Sequence, residues 1–286
     1  MPKVRRATRD LEDRLKKKLK KSSSGKPTST SKPKPIPLVE RTNALSLEEF
    51  TALYIPPSEL SFQKTKRKTA PAGHSDLTPK PQPNVDVPQT QEATRVVYDL
   101  SIYTAATIPA SELALCFRLI ELTSSAAYKS SSMGWSPVEK RKEMKLPDMK
   151  YMVLRRRSAA VDANAVPDED RDAGEGNDST GDFAGFLEFM VTYEDGYEVL
   201  YCYEIHLTPQ VQGQGLGEAL LERFEKIGQR IGVVKAMLTV FKSNSRAIKF
   251  YTRVGYEEDE NSPRPRKLRN GTVKEADYMI MSKSLR

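Results

Sequence analysis

Cysteine, histidine and tryptophan are scarce in this 286-residue chain: two, two and one. Two cysteines, Cys116 and Cys202, cannot build a disulfide framework. Both lie in apolar runs, so a reducing compartment is expected. His74 and His206 are far apart in sequence, which leaves no metal-ligand spacing, and no metal is expected. No apolar run approaches the length of a bilayer span, and the first residues carry no apolar signal core. The expectation is a soluble protein of the nucleus and cytoplasm with no membrane partner. A P-loop would need Gly-Lys-Ser/Thr, and a dinucleotide site would need GxGxxG with an acid about twenty residues on. Neither pattern occurs.

Positive charge is abundant but confined. Residues 1–35 hold 13 Lys and Arg against 3 Asp and Glu, a net of +10, while the whole chain is +8. Everything after residue 35 therefore sums to about −2. Such a segment cannot bury a core, so residues 1–37 are expected to be a disordered basic tail. It reads either as a solubilising tail or as an import signal or contact to nucleic acid or the ribosome. Without interleaved aromatics, base stacking is not expected. Residues 38–62 carry a helical pattern, Leu45 to Leu53 with Ser46 as N-cap, and are expected to wrap the main body. Residues 63–94 read as a linker. The globular domain is expected over 95–286, interrupted at 156–182, where residues 162–182 hold eight Asp and Glu to one Arg.

Within that domain the pattern predicts strands at 96–103 and 149–154. A helix opens at Pro109, a loop covers Tyr128 to Trp135, and a second helix is capped by Ser136. Two strands, 183–193 and 198–207, flank the hairpin signal Asp195-Gly196. An apolar strand at 233–241, a short helix at 244–251 and a last strand at 276–281 complete the order β-α-α-β-β-β-α-β-α-β. The expected fold class is α/β, a mixed central sheet flanked by helices.

Between strand 198–207 and its following helix the chain breaks at Pro209 and turns through Gln212-Gly-Gln-Gly-Leu-Gly217. A strand, a glycine loop and a helix start make an anion cradle, with backbone N–H groups above the positive end of the helix dipole. Gln212-x-x-Gly215-x-Gly217 resembles the loop that holds the coenzyme A pyrophosphate in the GNAT N-acetyltransferase superfamily. Asn244-x-x-Ala247-x-x-x-Tyr251-x-x-x-Gly255-Tyr256 is similar to a second signature of that superfamily, one helix and one strand further on. Four more stretches resemble its histone-specific N-alpha-acetyltransferase branch. They are Leu200 to Leu207, Met237 to Asn244, Gly134-Trp135 with Glu139 to Met144, and Asn261-Ser-Pro263.

The resemblance implies a GNAT-type sheet, acetyl-CoA as cosubstrate and direct transfer in a ternary complex. The implied reaction is acetylation of the N-terminal serine of histones beginning Ser-Gly-Arg-Gly, the histone four and two-A types, by a monomer. It implies that the backbone of Ile205, His206 and Leu207 pairs with the pantetheine arm and that Gln212, Gly213, Gln214, Gly215, Leu216 and Gly217 hold the pyrophosphate. Asn244 would reach the pantetheine, and Tyr251 would protonate the leaving thiolate. Trp135 or Met133, Tyr201, Tyr203, Thr239 and Tyr278 would line the peptide pocket. The cationic peptide would want carboxylates, for which Glu194, Asp195, Glu198 and Glu257 to Glu260 are candidates. Thr192 stands where the family has an acid.

Glu204 is the candidate base. A carboxylate in mid-strand among apolar residues is costly without a task or a partner, so it reads as catalytic or as half of an ion pair. Strand alternation puts Tyr203 on the opposite face from Glu204. The two share a site only if the strand carries a bulge.

Overall fold

The computed structural model describes residues 35–65, 95–157 and 181–286. The expected basic tail, most of the linker and the acidic insertion fall outside them, apart from a few residues at their edges.

Two short helices come first, α1 (Leu38–Asn43) and α2 (Leu47–Tyr54). Ser46 caps α2 through a reciprocal pair: its Oγ accepts from Glu49 N, and Glu49 Oε2 accepts from Ser46 N. A 3-10 turn then leads into β1 (Ser61–Thr65), which pairs antiparallel with β2 (Arg95–Thr104). The N-terminal segment thus contributes the first strand of the sheet, and that strand runs past the 62/63 boundary expected from sequence. Phe62 explains the attachment. Its ring stacks on Tyr98 at 5.8 Å, and the Arg223 guanidinium covers it at 4.1 Å. Asn43 adds a polar fastening by donating to Val191 O and accepting from the buried Lys150 Nζ.

After β2 come α3 (Ala110–Ser130), α4 (Pro137–Glu143), β3 (Lys150–Arg157), β4 (Gly181–Glu194) and β5 (Tyr197–Leu207). These are followed by α5 (Leu216–Ile231), β6 (Lys235–Phe241) and α6 (Ser245–Arg253). The chain then forms the short strands β7 (Glu257–Glu258), β8 (Arg266–Lys267) and β9 (Val273–Lys274), and ends in β10 (Tyr278–Ser284). The mixed eight-stranded sheet runs β1-β2-β3-β4-β5-β6-β10-β7, and only the β5–β6 pair is parallel. The β4–β5 hairpin turns through Asp195 (φ 47°) and Gly196 (φ 89°), the two left-handed residues that such a tight turn needs. Of the elements, α1, β1, β7, β8 and β9 have no counterpart in the sequence expectation; strands of two residues, as in β7 to β9, leave no periodicity to read.

One sheet face packs on α1, α2, α5 and α6; Leu216, Leu220, Phe224 and Ile227 of α5 are buried there. The opposite face is covered over β3 and β4 by α3 and α4. On that same side β5, β6 and β10 present a smaller cluster of Val199, Tyr201, Met237, Tyr278 and Ile280.

Two features of this frame position the site. First, α3 continues one turn beyond the expected loop start, so Tyr128 is helical rather than in a loop. No breaker stands before Ser131, and Tyr128 lies eleven residues, about three turns, after Phe117 on the same face. Second, the β4–β5 ladder slips at one point: Glu188 faces Glu204, but Phe189 faces Cys202. Tyr203 is the extra residue, so the bulge that would bring Tyr203 and Glu204 together is present.

Candidate active site

Strands β5 and β6 are paired only from Val199–Lys235 to Cys202–Leu238, yet β5 continues to Leu207 and β6 to Phe241. Past Cys202 the two strands part, leaving that edge of β5 unpaired while β4 holds its other edge. The wedge opens into a groove of about 690 Å³. At its mouth the loop after β5 turns through Gly213 (φ 76°) and Gly215 (φ 77°), and the second glycine is the N-cap of α5. Left-handed backbone here favours glycine and aims the first N–H groups of α5 into the groove.

Of the residues named from sequence, the groove gathers Tyr203, Glu204, Ile205, His206, Leu207, Gln212, Gly213, Gly215, Leu216, Gly217, Thr239, Asn244 and Tyr251, with Met133 at one end. Others are placed elsewhere. Gln214 turns back to donate to Gln210 O. Trp135 packs on Phe117 and Tyr128 and props the latter instead of lining the groove. Tyr201 and Tyr278 form the apolar wall next to it, with the Tyr201 hydroxyl bonded to Thr239. Glu198 is a correction. It alternates with Val199 and Tyr201, so it faces the other side of the sheet from that wall, and it sits near the start of β5. Asp259 is engaged by Lys235 at 2.5 Å and is not free to meet a ligand. Glu194 remains near the wall, where its charge helps burial hold the Tyr201 and Tyr203 hydroxyls protonated.

Two side chains do something other than sequence suggested. Asn244 caps α6 by accepting from Ala247 N at 3.1 Å. Gln212 donates to Leu207 O and so ties the glycine loop to the end of β5.

Glu204 is the centre of a buried ionic cluster that sequence did not reveal. Its Oε1 accepts from Lys140 Nζ at 2.7 Å and from the Tyr128 hydroxyl at 3.0 Å, and its Oε2 lies 2.6 Å from His206 Nε2. Lys140 is only 6% exposed and also donates to Glu143 at 2.5 Å. Burial alone would raise the Glu204 pKa; Lys140 and then His206 outweigh it and pull it down to about 2. Burial likewise disfavours the Lys140 charge, and Glu204 and Glu143 restore it. Glu204 is therefore half of an ion pair, and it also lines the groove. Lys140 was missed because it stands in a run of charges that reads as a solvated helix face; Ser136 and Pro137 fix the phase of α4 that turns it inward.

Across the wedge Tyr251 is buried at 9% exposure. Burial first, then Cys202 and Glu204, push its hydroxyl up, so it stays a proton donor. Cys202 is buried too, and burial with the Glu204 charge keeps its thiol protonated, which argues against an acyl carrier. Glu188, opposite Glu204, is fully buried with one oxygen unpartnered; burial pushes its carboxyl well up, so it is neutral. Arg246, Lys249 and Arg253 of α6 line the far mouth, and the Lys64 ammonium lies close beside Gly215. These cations, which sequence reasoning did not single out, suit a phosphorylated ligand. Among the described residues no group of His, Cys, Asp and Glu is arranged to hold a metal ion.

Residues 158–256 match the acetyltransferase (GNAT) family model. That segment spans β4, β5, the glycine loop, α5, β6 and α6, and the match supports the GNAT acetyltransferase superfamily as the class of this domain, whose mixed sheet is of GNAT type. Similar solved structures include the ribosomal-protein-S18-alanine N-acetyltransferase from Escherichia coli (18% identity, 65% of this chain and 94% of that one, TM-score 0.38). The PaiA N-acetyltransferase from Thermoplasma acidophilum in complex with coenzyme A is also similar (16%, 65% and 99%, 0.41). So is the spermidine N-acetyltransferase from Vibrio cholerae in complex with CoA and spermine (14%, 65% and 95%, 0.41). At these values the likenesses decide nothing about substrate.

Proposed function

We propose that this protein is an N-alpha-acetyltransferase of the N-terminal acetyltransferase D type, moving acetyl from acetyl-CoA to the N-terminal serine of histones beginning Ser-Gly-Arg-Gly. The observation that carries it is that Glu204, Tyr203 and Tyr251 all line the groove that opens where β5 and β6 part. The residues present fit acetyl-CoA: an unpaired strand edge from Tyr203 to Leu207 for an extended arm, left-handed glycines before α5 for a pyrophosphate, and cations at the mouth. When bound, acetyl-CoA supplies the activated acetyl thioester. The chain's part is to orient the amine, accept its proton and return one to the leaving sulfur. We assign the last task to Tyr251, which lines the groove with its hydroxyl kept protonated by burial. The wall of Tyr201, Thr239 and Tyr278, with Met133 above and Glu194 nearby, suits a short cationic peptide.

An α-amino group, with a pKa of about 7.7–8.0, is partly neutral at physiological pH, whereas lysine at about 10.4 is not. The less basic amine asks less of a carboxylate that Lys140 and His206 hold low, which favours the N-terminal amine over lysine. The monomeric state, the nuclear and cytoplasmic setting and a ribosome or nucleic-acid contact through residues 1–37 belong to the same proposal.

The test is acetyl transfer to a Ser-Gly-Arg-Gly-Lys peptide, beside the same peptide with its α-amine blocked, an acidic Ser-initiated peptide and a Glu204→Gln enzyme. Transfer only to the free basic peptide, lowered about 100-fold or more in the variant, is expected. Equal activity on the blocked peptide would mean a lysine enzyme. Cofactor binding with no transfer at all would mean a non-catalytic module.

A further inference from the structure

The reading above gives the His206 backbone a task and its side chain none. Yet the ring bridges two groups: Nε2 lies 2.6 Å from Glu204 Oε2, and Nδ1 lies 2.7 Å from Thr123 Oγ1. Phe186 packs against the ring at 5.7 Å. Thr123 is exposed, so the bridge runs from the groove to solvent.

Counting hydrogens constrains the arrangement. A carboxylate oxygen and an imidazole nitrogen at that separation must share a proton. Thr123 has one hydroxyl hydrogen and two acceptors in reach, Nδ1 and Leu119 O at 2.7 Å. If the hydrogen goes to Leu119 O, Nδ1 must donate and the ring is an imidazolium. If it goes to Nδ1, the ring is neutral. The orientation of the Thr123 hydroxyl and the charge of His206 are therefore one variable.

The carboxylate can be counted in the same way. Glu204 Oε1 receives Lys140 and Tyr128, and Oε2 receives His206, which leaves one acceptor position, on Oε2, the oxygen His206 shares. We propose that the proton acceptor for the incoming amine is the Glu204–His206 pair, with the charge on His206 deciding whether Glu204 can accept. With a cationic ring, Glu204 faces two cations, Lys140 and His206. With a neutral ring it faces Lys140 alone, and Glu143 shares that cation.

The other titratable groups around the pair do not compete. Glu188 on β4, Tyr128 on α3 and Tyr251 on α6 are held neutral by burial, and Lys140 and Glu143 on α4 are engaged with each other. Histidine is the side chain that ordinarily changes charge between about pH 5 and 8.

The step balances without a further reactant. The ammonium N–H bond breaks and its proton goes to Glu204 Oε2. The nitrogen keeps the electron pair and attacks the thioester carbonyl carbon. The C–S bond breaks, sulfur leaves with its pair and takes the proton of the Tyr251 hydroxyl, and the amide nitrogen gives up its second proton, which restores Tyr251. The pair then releases its proton to water.

This inference rests on the acetyl-transfer reading, so the experiment separates the two. The kcat of wild type, His206→Gln and Thr123→Val is measured from about pH 5 to 9. Side-chain nitrogen NMR follows the imidazole in wild type and Glu204→Gln. With two histidines in the chain, His206→Gln assigns the spectrum. The expected results are an acid limb in wild type that is lost in His206→Gln, with a plateau about tenfold lower, and that moves to lower pH in Thr123→Val. In Glu204→Gln the imidazole nitrogen signals should move, because the ring has lost its anion. Unchanged pH profiles in both variants, or ring signals indifferent to Glu204→Gln, would overturn the pair. A wild type that binds acetyl-CoA yet transfers no acetyl would overturn the functional reading and the pair's catalytic role with it, while the NMR arm still reports whether the two groups share a proton.

Discussion

One half of the groove is a continuous stretch, β5 from Ile205, the turn to Gly217 and then α5, and what it presents is mainly backbone. The other half is assembled from Tyr128 on α3, Lys140 and Glu143 on α4, Glu204 and His206 on β5 and Tyr251 on α6, and what it presents is side chains. Backbone donors need only the right dihedrals, which local sequence supplies through glycine and proline. Side-chain clusters need several elements to arrive in register, and the energy that holds them is electrostatic and buried. The first half should therefore tolerate substitution with small, local losses, whereas the second should fail as a unit.

The largest effect is expected from Lys140→Met, which leaves the buried Glu204 and the half-buried Glu143 without the cation they share. Breaking a buried pair from one side costs about 3–5 kcal/mol, readable by urea unfolding. A loss under about 1 kcal/mol would mean that the cluster behaves as an exposed pair, and the contrast between the halves would fail.

Acid should act on the same half. Glu204 is depressed in the fold, from an ordinary 4.5 to about 2. Its stabilisation is therefore fully present above pH 4.5 and is lost as pH falls toward 2. Thermal unfolding followed over that range should show a loss of about 2–3 kcal/mol from this group. Lys140→Met should flatten that slope; an equal slope in both proteins would remove Lys140 as its cause.

The smallest effect should come from Gly215→Ala on the glycine-loop side. The residue holds φ 77°, so a side chain there is strained by about 1 kcal/mol. Affinity for CoA, measured by calorimetry, should fall several-fold, and unfolding should lose no more than about that 1 kcal/mol. A collapse of stability comparable to Lys140→Met would show that the two halves do not differ as described.

How far the site could be read in advance follows the same division. Gly213, Gly215 and Gly217 announce their own conformation, and Leu216, Leu220, Phe224 and Ile227 announce the buried face of α5, so the loop and helix were legible. The Asp195-Gly196 turn was legible for the same reason. The bulge at Tyr203 could be stated only as a condition, because a slip of one residue in a ladder belongs to two strands at once. Lys140 was illegible because a charge run gives no sign of which residue turns inward. Glu198 was misassigned because its nearness in sequence to Tyr201 conceals the alternation of faces.

The sequence by itself determined the order of the longer elements from β2 to α6 and β10, the glycine turn and the placing of a carboxylate in the middle of β5, since each depends on neighbours within a few residues. Tertiary structure alone decided that β1 joins the sheet, that Trp135 props Tyr128, and that Glu204 works between Lys140 and His206. Those outcomes depend on contacts between residues far apart in the chain, where packing and the balance of buried charges, and not local preference, set the geometry.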